Sequence, residues 1–107
     1  MTHTQLPKIV RSLRRELKRI FGDQLEMVIL YGSQARGEAR PDSDIDILVV
    51  VRDELDYGDL IQQTSAIVSD LSLRYDVVIS RAFVSKERFE QEQSPFLMNV
   101  RREGVPV

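Results

Sequence analysis

Apolar residues recur every three or four positions in two long stretches of the chain, which is the pattern of helices that bury one face. The first stretch covers residues 6–21, with Pro7 in its first turn and Gly22 at its end. The second stretch begins at Tyr57 and reaches Leu71. Both are therefore predicted to be amphipathic helices.

Shorter runs rich in β-branched and aromatic residues predict strands. The first two strands are expected over residues 25–31 and 44–51, and a third over 76–80 with an extension over 82–84. Residues 33–38, between the first two strands, predict a short helix. This order of elements predicts an α/β domain with a small sheet and about four helices.

The C-terminal segment, residues 85–104, predicts interrupted helical structure. Ser94 and Pro95 suit the N-cap and the first position of a new helix. Gly104 suits the left-handed position that commonly ends a helix. We expect three apolar side chains of this last helix to pack inward: Phe96, Leu97 and Val100.

Two aspartates stand at the start of the second predicted strand. Alternate residues of a strand point to the same side, so Asp44 and Asp46 share a face, with Cα atoms about 6.6 Å apart. Such a carboxylate pair can bind a hard cation. Gly32 and Ser33 follow the first strand, where a small residue lets backbone N–H groups approach a phosphate. Together these residues predict nucleotide chemistry with Mg²⁺.

The strand directions follow from the need to bring these residues together. Gly32 leaves the end of the first strand and Asp44 enters the start of the second, so the two strands must be antiparallel. Asp76 reaches the same edge only if the third strand runs parallel to the second. We therefore expect a mixed three-stranded sheet.

Two other motifs fit these residues less well. Residues 32–37 have the glycine spacing of a P-loop, but Glu38 and Ala39 follow where that loop needs Lys and then Ser or Thr. The aspartates at 42, 44 and 46 resemble the first ligands of an EF-hand, but Ile47 occupies the position that requires Gly. Both motifs are excluded on chemistry.

Composition changes this picture only in excluding some classes of protein. With 42% apolar residues, 30% charged residues and a net charge of −2, the sequence is that of an ordinary globular protein. We expect one domain over residues 1–107, in the cytoplasm, with no membrane association and no direct nucleic-acid binding. The basic face of the first helix is either solvated or a contact for a partner or RNA.

The motif GSQARGEARPDSDIDILVV resembles the polymerase β-type nucleotidyltransferase superfamily, and most closely its minimal stand-alone MNT domains. The resemblance covers nearly the whole chain. It implies a palm-like fold in which Asp44 and Asp46 bind two Mg²⁺ ions and Asp76 completes the catalytic and metal site beside the acceptor. It also implies that Gly32 and Ser33 contact the distal phosphates of ATP.

Two arginines of the connecting segment, Arg36 and Arg40, could grip the β or γ phosphate or could be ordinary solvated charges. Similarly, Asp76 could form only a helix-to-strand turn.

MNT proteins usually act as antitoxins beside HEPN-domain partners. The resemblance therefore implies transfer of AMP from ATP to a tyrosine hydroxyl of a HEPN ribonuclease toxin. Two alternatives remain open from sequence. The protein could neutralise its toxin by binding alone, or it could be the nucleotide-binding subunit of a small-molecule transferase.

Overall fold

The fold is described from a computed structural model, over residues 5–37 and 44–107. The first half comprises helix α1 (Leu6–Phe21), a 3₁₀ turn (Gly22–Gln24), strand β1 (Leu25–Tyr31), helix α2 (Gly32–Arg36) and strand β2 (Ile45–Val51). The second half comprises α3 (Tyr57–Tyr75), β3 (Ile79–Ser85), α4 (Lys86–Gln91), α5 (Pro95–Glu103) and β4 (Val105–Pro106).

The strands form one mixed sheet in the order β3-β2-β1-β4. Strands β1 and β2 are antiparallel and β2 and β3 are parallel, so both predicted directions are confirmed. The predicted α/β class is also right. The sheet has four strands rather than three, because β4 pairs with Ile29 and Leu30 on the outer side of β1.

The two faces of the sheet pack against different helices. Odd-numbered residues of β2, from Ile45 to Val51, join the apolar faces of α1 and α3 in the larger core. Leu48 and Val50 point the other way and pack with Leu97 and Val100 of α5. Since side chains alternate along a strand, Asp46 lies on the α5 side of the sheet. The aspartates therefore open toward the smaller core.

The third strand does not begin where the sequence predicted. Helix α3 continues four residues beyond Leu71 to Tyr75, and Asp76 is its C-cap, with a left-handed backbone at φ 52°. Strand β3 starts only at Ile79. The prediction that Asp76 opens the strand was wrong, because the last turn of α3 is longer than its apolar periodicity suggested.

Two expectations about the last helix were also wrong. Gly104 is extended, with φ −70°, and does not adopt the left-handed cap conformation. Its lack of a side chain matters for space, because a Cβ there would lie 2.5 Å from Ile29 Cγ2 and from the carbonyl oxygen of Val100. Leu97 is buried as expected, but Phe96 is 43% exposed. No helix in the described part of the chain is long and apolar enough to span a membrane.

Candidate active site

The centre of the site is the carboxylate pair at the start of β2. Asp44 is exposed and immediately precedes the strand, whereas Asp46 is half-buried at its second position. Asp46 pairs with Tyr31 in the antiparallel ladder, which places the end of β1 beside this carboxylate. The structure therefore brings together the two elements that the sequence predicted would meet.

Burial raises the pKa of Asp46 above its ordinary value, and the negative charge of Asp44 raises it further. Burial also raises the pKa of Tyr31, and the charge of Asp46 adds to this effect. Each cause disfavours a further negative charge at this point of the sheet edge. A cation beside the two carboxylates would relieve the repulsion, so the electrostatics of the pair suit a metal site.

Gly32 fits closely against this pair. It begins α2 with φ +75°, a conformation that favours glycine, and a Cβ added to it would collide with Asp46 Oδ2. No other residue type fits this position without displacing the carboxylate. The backbone of residue 32 thus lies directly against Asp46, and Ser33 follows it in the first turn of the helix.

Arg36 ends α2 on the other side of the site. Its guanidinium lies 3.5 Å from Glu103 Oε2 on α5. A groove of about 200 Å³ separates α5 from the end of β1 and from α2. The rings of Tyr31 and Phe96 meet edge to face there, with centroids 5.4 Å apart. The groove is lined by Tyr31, Gly32, Arg36, Phe96, Asn99, Val100 and Glu103.

Sequence reasoning did not identify the contribution of α5 to this groove. Phe96, Asn99 and Glu103 are spaced by three and four residues, so they fall on one side of the helix. That spacing is visible in the sequence. What could not be seen was that this side of α5 would face Tyr31 and Arg36.

Asp76 lies at the same edge of the sheet but, among the residues that the structure describes, it forms no metal-binding cluster with Asp44 and Asp46. The N–H of Ile45 donates to the carbonyl of Val78 at 2.9 Å, which ties the entry of β3 to the entry of β2. Asp76 is exposed two residues earlier, on its left-handed backbone. Within residues 5–37 and 44–107, no three acidic or histidine side chains come close enough to form a metal cluster. Arg40 lies outside the described residues.

The residues present fit Mg²⁺. This ion is commonly held by one or two carboxylates, with substrate phosphates and water completing its shell. Asp44 and Asp46 supply such a donor pair on one face, and burial together with the charge of Asp44 raises the pKa of Asp46. The carboxylate of Asp46 lies against Gly32 in the N-terminal turn of α2, where backbone N–H groups are available to a phosphate.

Two curated relatives match this chain over most of its length and most of their own. It is 31% identical over 103 residues to a protein of Methanocaldococcus jannaschii provisionally named protein adenylyltransferase, covering 96% of this chain and 99% of that protein. It is also 31% identical over 85 residues to the protein adenylyltransferase MntA of Thermococcus cleftensis, covering 79% and 84% of the two chains.

Solved structures share the fold. A toxin–antitoxin complex determined with AMP-PNP contains a chain that aligns with a TM-score of 0.59 at 22% identity. The alignment covers 88% of this chain and 68% of that one.

The family model described as the nucleotidyltransferase domain matches residues 10–103, a span that includes the carboxylate pair, Gly32 and the groove beside α5. Within that span the structure places the turn at Gly32 in contact with the acidic strand at Asp46. The chain accordingly belongs to the nucleotidyltransferase-domain family and is a nucleotidyltransferase.

Proposed function

We propose that this protein transfers AMP from Mg-ATP to a tyrosine hydroxyl of a partner HEPN-domain ribonuclease toxin and so acts as its antitoxin. The observation that carries the proposal is the contact between Gly32 and Asp46, which joins a phosphate-approaching backbone to a carboxylate pair. A relative named protein adenylyltransferase MntA and a similarly folded chain from a toxin–antitoxin complex with AMP-PNP support the acceptor class and the nucleotide.

In this proposal Asp44 and Asp46 hold the magnesium, with up to two ions shared between them and the phosphates. Bound magnesium would neutralise charge on the triphosphate and lower the pKa of the attacking hydroxyl. Gly32 and Ser33 present backbone N–H groups and a hydroxyl to the distal phosphates. Arg36, which is paired with Glu103 in this structure, is the candidate cation for the β or γ phosphate.

The reaction is an in-line displacement at the α-phosphorus. The tyrosine oxygen forms a bond to that phosphorus as the bond to the departing pyrophosphate breaks, and the phenolic proton is lost. Asp76, at the same sheet edge, is the candidate for the acceptor side of the site. Its exposed position leaves it accessible to a second protein.

Mg-ATP binding tests the nucleotide site. Replacing Asp44 and Asp46 with Asn should abolish binding measured by calorimetry, because the amides keep the shape of the carboxylates and lose their charge. The double variant D23N/D53N is a matched control, since it removes two charges near the opposite edge of the sheet. Equal affinity in the two double variants would show that the site lies elsewhere.

Mass spectrometry of the co-expressed pair tests transfer. The partner should gain the mass of AMP when the wild-type protein is present, and should lose this modification with Asp76→Asn. A modified partner that is unaffected by Asp76→Asn would remove Asp76 from the acceptor side and leave it as a helix cap.

A second candidate function is neutralisation of the toxin by binding alone. One observation favours it: within the described residues, Asp76 forms no metal-binding cluster with Asp44 and Asp46. A stable complex in which the partner is never modified, and in which aspartate variants still neutralise the toxin, would favour this function over transfer.

A further inference from the structure

A cleft between α1 and α3 is lined by cations from both helices. Its volume is about 440 Å³. The charged residues that line it, among those the structure describes, are all basic: Lys8, Arg11, Arg15 and Arg74. Ser12 and Tyr75 complete the lining and add two hydroxyl groups. The cleft therefore combines four positive charges with hydrogen-bond donors.

The charge of the whole chain is distributed unevenly. Helix α1 carries six basic residues and one acid, Glu16, while the rest of the sequence has nine basic residues against sixteen acidic ones. The net charge of the chain is −2, but helix α1 is strongly positive and the rest of the molecule is acidic. Such a face attracts negatively charged surfaces over distances comparable to the Debye length.

The cleft lies at the same edge of the sheet as the aspartates. Only a short turn, Gly22–Gln24, separates the end of α1 from the start of β1, so the N-terminal half of α1 lies toward the end of β1. Tyr75 in the cleft directly precedes Asp76, and the carbonyl of Val78 accepts from Ile45 beside Asp44. Asp46 points to the α5 side of the sheet and the cleft lies on the side covered by α1 and α3, so a protein that engages both must reach around the sheet edge past Asp76.

We propose that the cleft is a docking site for an acidic segment of the acceptor protein. The segment would place carboxylates against Lys8, Arg11 and Arg15, and would bring the neighbouring acceptor hydroxyl to the sheet edge. Arg74 already forms an ion pair with Asp70 at 2.7 Å and lines the α3 side of the cleft. This inference rests on the proposed function, because it assumes that the acceptor is another protein.

The chemistry favours carboxylates over RNA. Proteins that bind single-stranded RNA combine cations with aromatic platforms on which bases stack. The described lining offers one aromatic ring, Tyr75, and it is half-buried.

The test compares two double variants with the same change in charge. Arg11→Glu with Arg15→Glu reverses two cations of the cleft. Arg14→Glu with Lys18→Glu reverses two cations of the same helix that do not line it. The probe is a fluorescein-labelled peptide of about ten glutamates, measured by anisotropy at about 50 mM salt, where surface charges are weakly screened. A uridine RNA of similar length is measured in parallel.

The wild-type protein should bind the acidic peptide, and R11E/R15E should weaken binding by about tenfold or more, because like charges then face each other. R14E/K18E should weaken it by a much smaller factor. If both variants lost the same affinity for the peptide, the net charge of the protein alone would explain the binding, and the proposal would be overturned. Tighter binding of the RNA than of the peptide, or absence of peptide binding to the wild type, would also overturn it.

Mg-ATP calorimetry on the same variants separates this inference from the proposed function. Both variants should keep wild-type Mg-ATP affinity. Thermal unfolding checks that each variant folds, since Lys18→Glu also removes the bond from Lys18 Nζ to the Gly22 carbonyl at the end of α1. If the wild-type protein bound Mg-ATP but not the acidic peptide, the docking site would be overturned and the proposed nucleotide site would not be affected. With the co-expressed partner, R11E/R15E should lower AMP transfer more than R14E/K18E does, and the reverse order would contradict the proposed route of the acceptor.

Discussion

At the scale of single residues, Gly32 occupies a position that leaves no space for a side chain. Gly32 and Gly37 have nearly the same backbone, with φ +75° and +72°, but a Cβ at Gly32 would overlap the side chain of Asp46. At Gly37 a Cβ would meet no atom within 4 Å among the residues that the structure describes. The two positions therefore separate the cost of a left-handed backbone from the cost of the contact with Asp46.

Gly32→Ala should destabilise the protein more than Gly37→Ala. Alanine in a left-handed conformation costs about 1 to 2 kcal/mol at either position. At Gly32 the overlap with Asp46 Oδ2 should add about 1 to 3 kcal/mol and should also lower Mg-ATP affinity. Urea unfolding and calorimetry on both variants measure these effects. If the two variants behaved alike, the contact with Asp46 would have no energetic role.

Asp46 gives a prediction of pH dependence. Its pKa is raised in the folded protein by burial and by Asp44, so the folded state holds this proton more tightly than the unfolded chain. Stability due to this group is therefore lost as pH rises from about 4, the range of an ordinary aspartate, through the higher folded pKa. Ionised Asp46 thus lowers stability at neutral pH.

Asp46→Asn should accordingly be more stable than the wild type at pH 7 and should lose Mg-ATP binding. Its advantage should shrink as the pH falls toward 4, because a growing fraction of wild-type Asp46 is then protonated. Denaturant unfolding across this range measures the difference. Asp23→Asn, at an exposed position in the turn after α1, serves as the control and should show no comparable gain. An advantage for D46N that did not change with pH would contradict the assignment to Asp46.

At the scale of elements, Arg101 connects the last two helices. Its guanidinium donates to the backbone carbonyls of Phe89 and of Glu92, the latter at 2.8 Å, where α4 ends. Arg102, the next residue, donates to Asn99 and forms an ion pair with Glu103, both of which are exposed on its own helix. The two adjacent arginines therefore have different structural roles.

Arg101→Met should destabilise the protein by about 1 to 3 kcal/mol, because two partly buried carbonyls lose their donor. Arg102→Met should change stability by less than about 0.5 kcal/mol. Thermal or urea unfolding of the two variants gives the comparison. Since α5 also lines the groove beside Tyr31, Arg101→Met should weaken Mg-ATP binding as well. Equal stability of the two variants would show that Arg101 does not anchor α4.

At the scale of the whole molecule, the chain folds around one sheet and has principal extents of 33 × 28 × 19 Å. The groove beside Asp46 encloses only about 200 Å³, at the lower limit or below the size of typical ligand pockets. It can hold part of a nucleotide but offers no deep pocket for a second substrate. This small volume is consistent with the proposal that another protein presents the acceptor.

The isolated protein should therefore bind Mg-ATP but transfer AMP to small hydroxyl compounds very slowly. Adding the partner should raise transfer by orders of magnitude, because the partner supplies and orients the hydroxyl. Labelled ATP and intact-protein mass spectrometry measure both rates. Efficient transfer by the isolated chain to an aminoglycoside would instead support the small-molecule transferase.

Much of the fold could be predicted because it is encoded in local periodicity. The 3.6-residue repeat of α1 and α3 and the apolar runs of β1 and β2 depend only on neighbouring residues. The strand directions followed from requiring Gly32, the aspartate pair and Asp76 to reach the same edge of the sheet. The structure confirms both directions. The roles in binding and catalysis stay predictions for all the site residues: Gly32, Ser33, Arg36, Asp44, Asp46 and Asp76.

The features that could not be predicted depend on contacts between distant residues. Strand β4 is two residues long and exists through its pairing with β1, so it leaves no periodic pattern in the sequence. Asp76 leaves the extended path because α3 continues to Tyr75. Gly104 is required by Ile29, which lies on another strand. The sequence by itself determined the long helices, the first two strands and the place of the carboxylate pair at the start of β2, because these are local. Only the tertiary structure decided how α5 closes the groove and how α1 and α3 concentrate their cations, because both depend on which helix faces pack together.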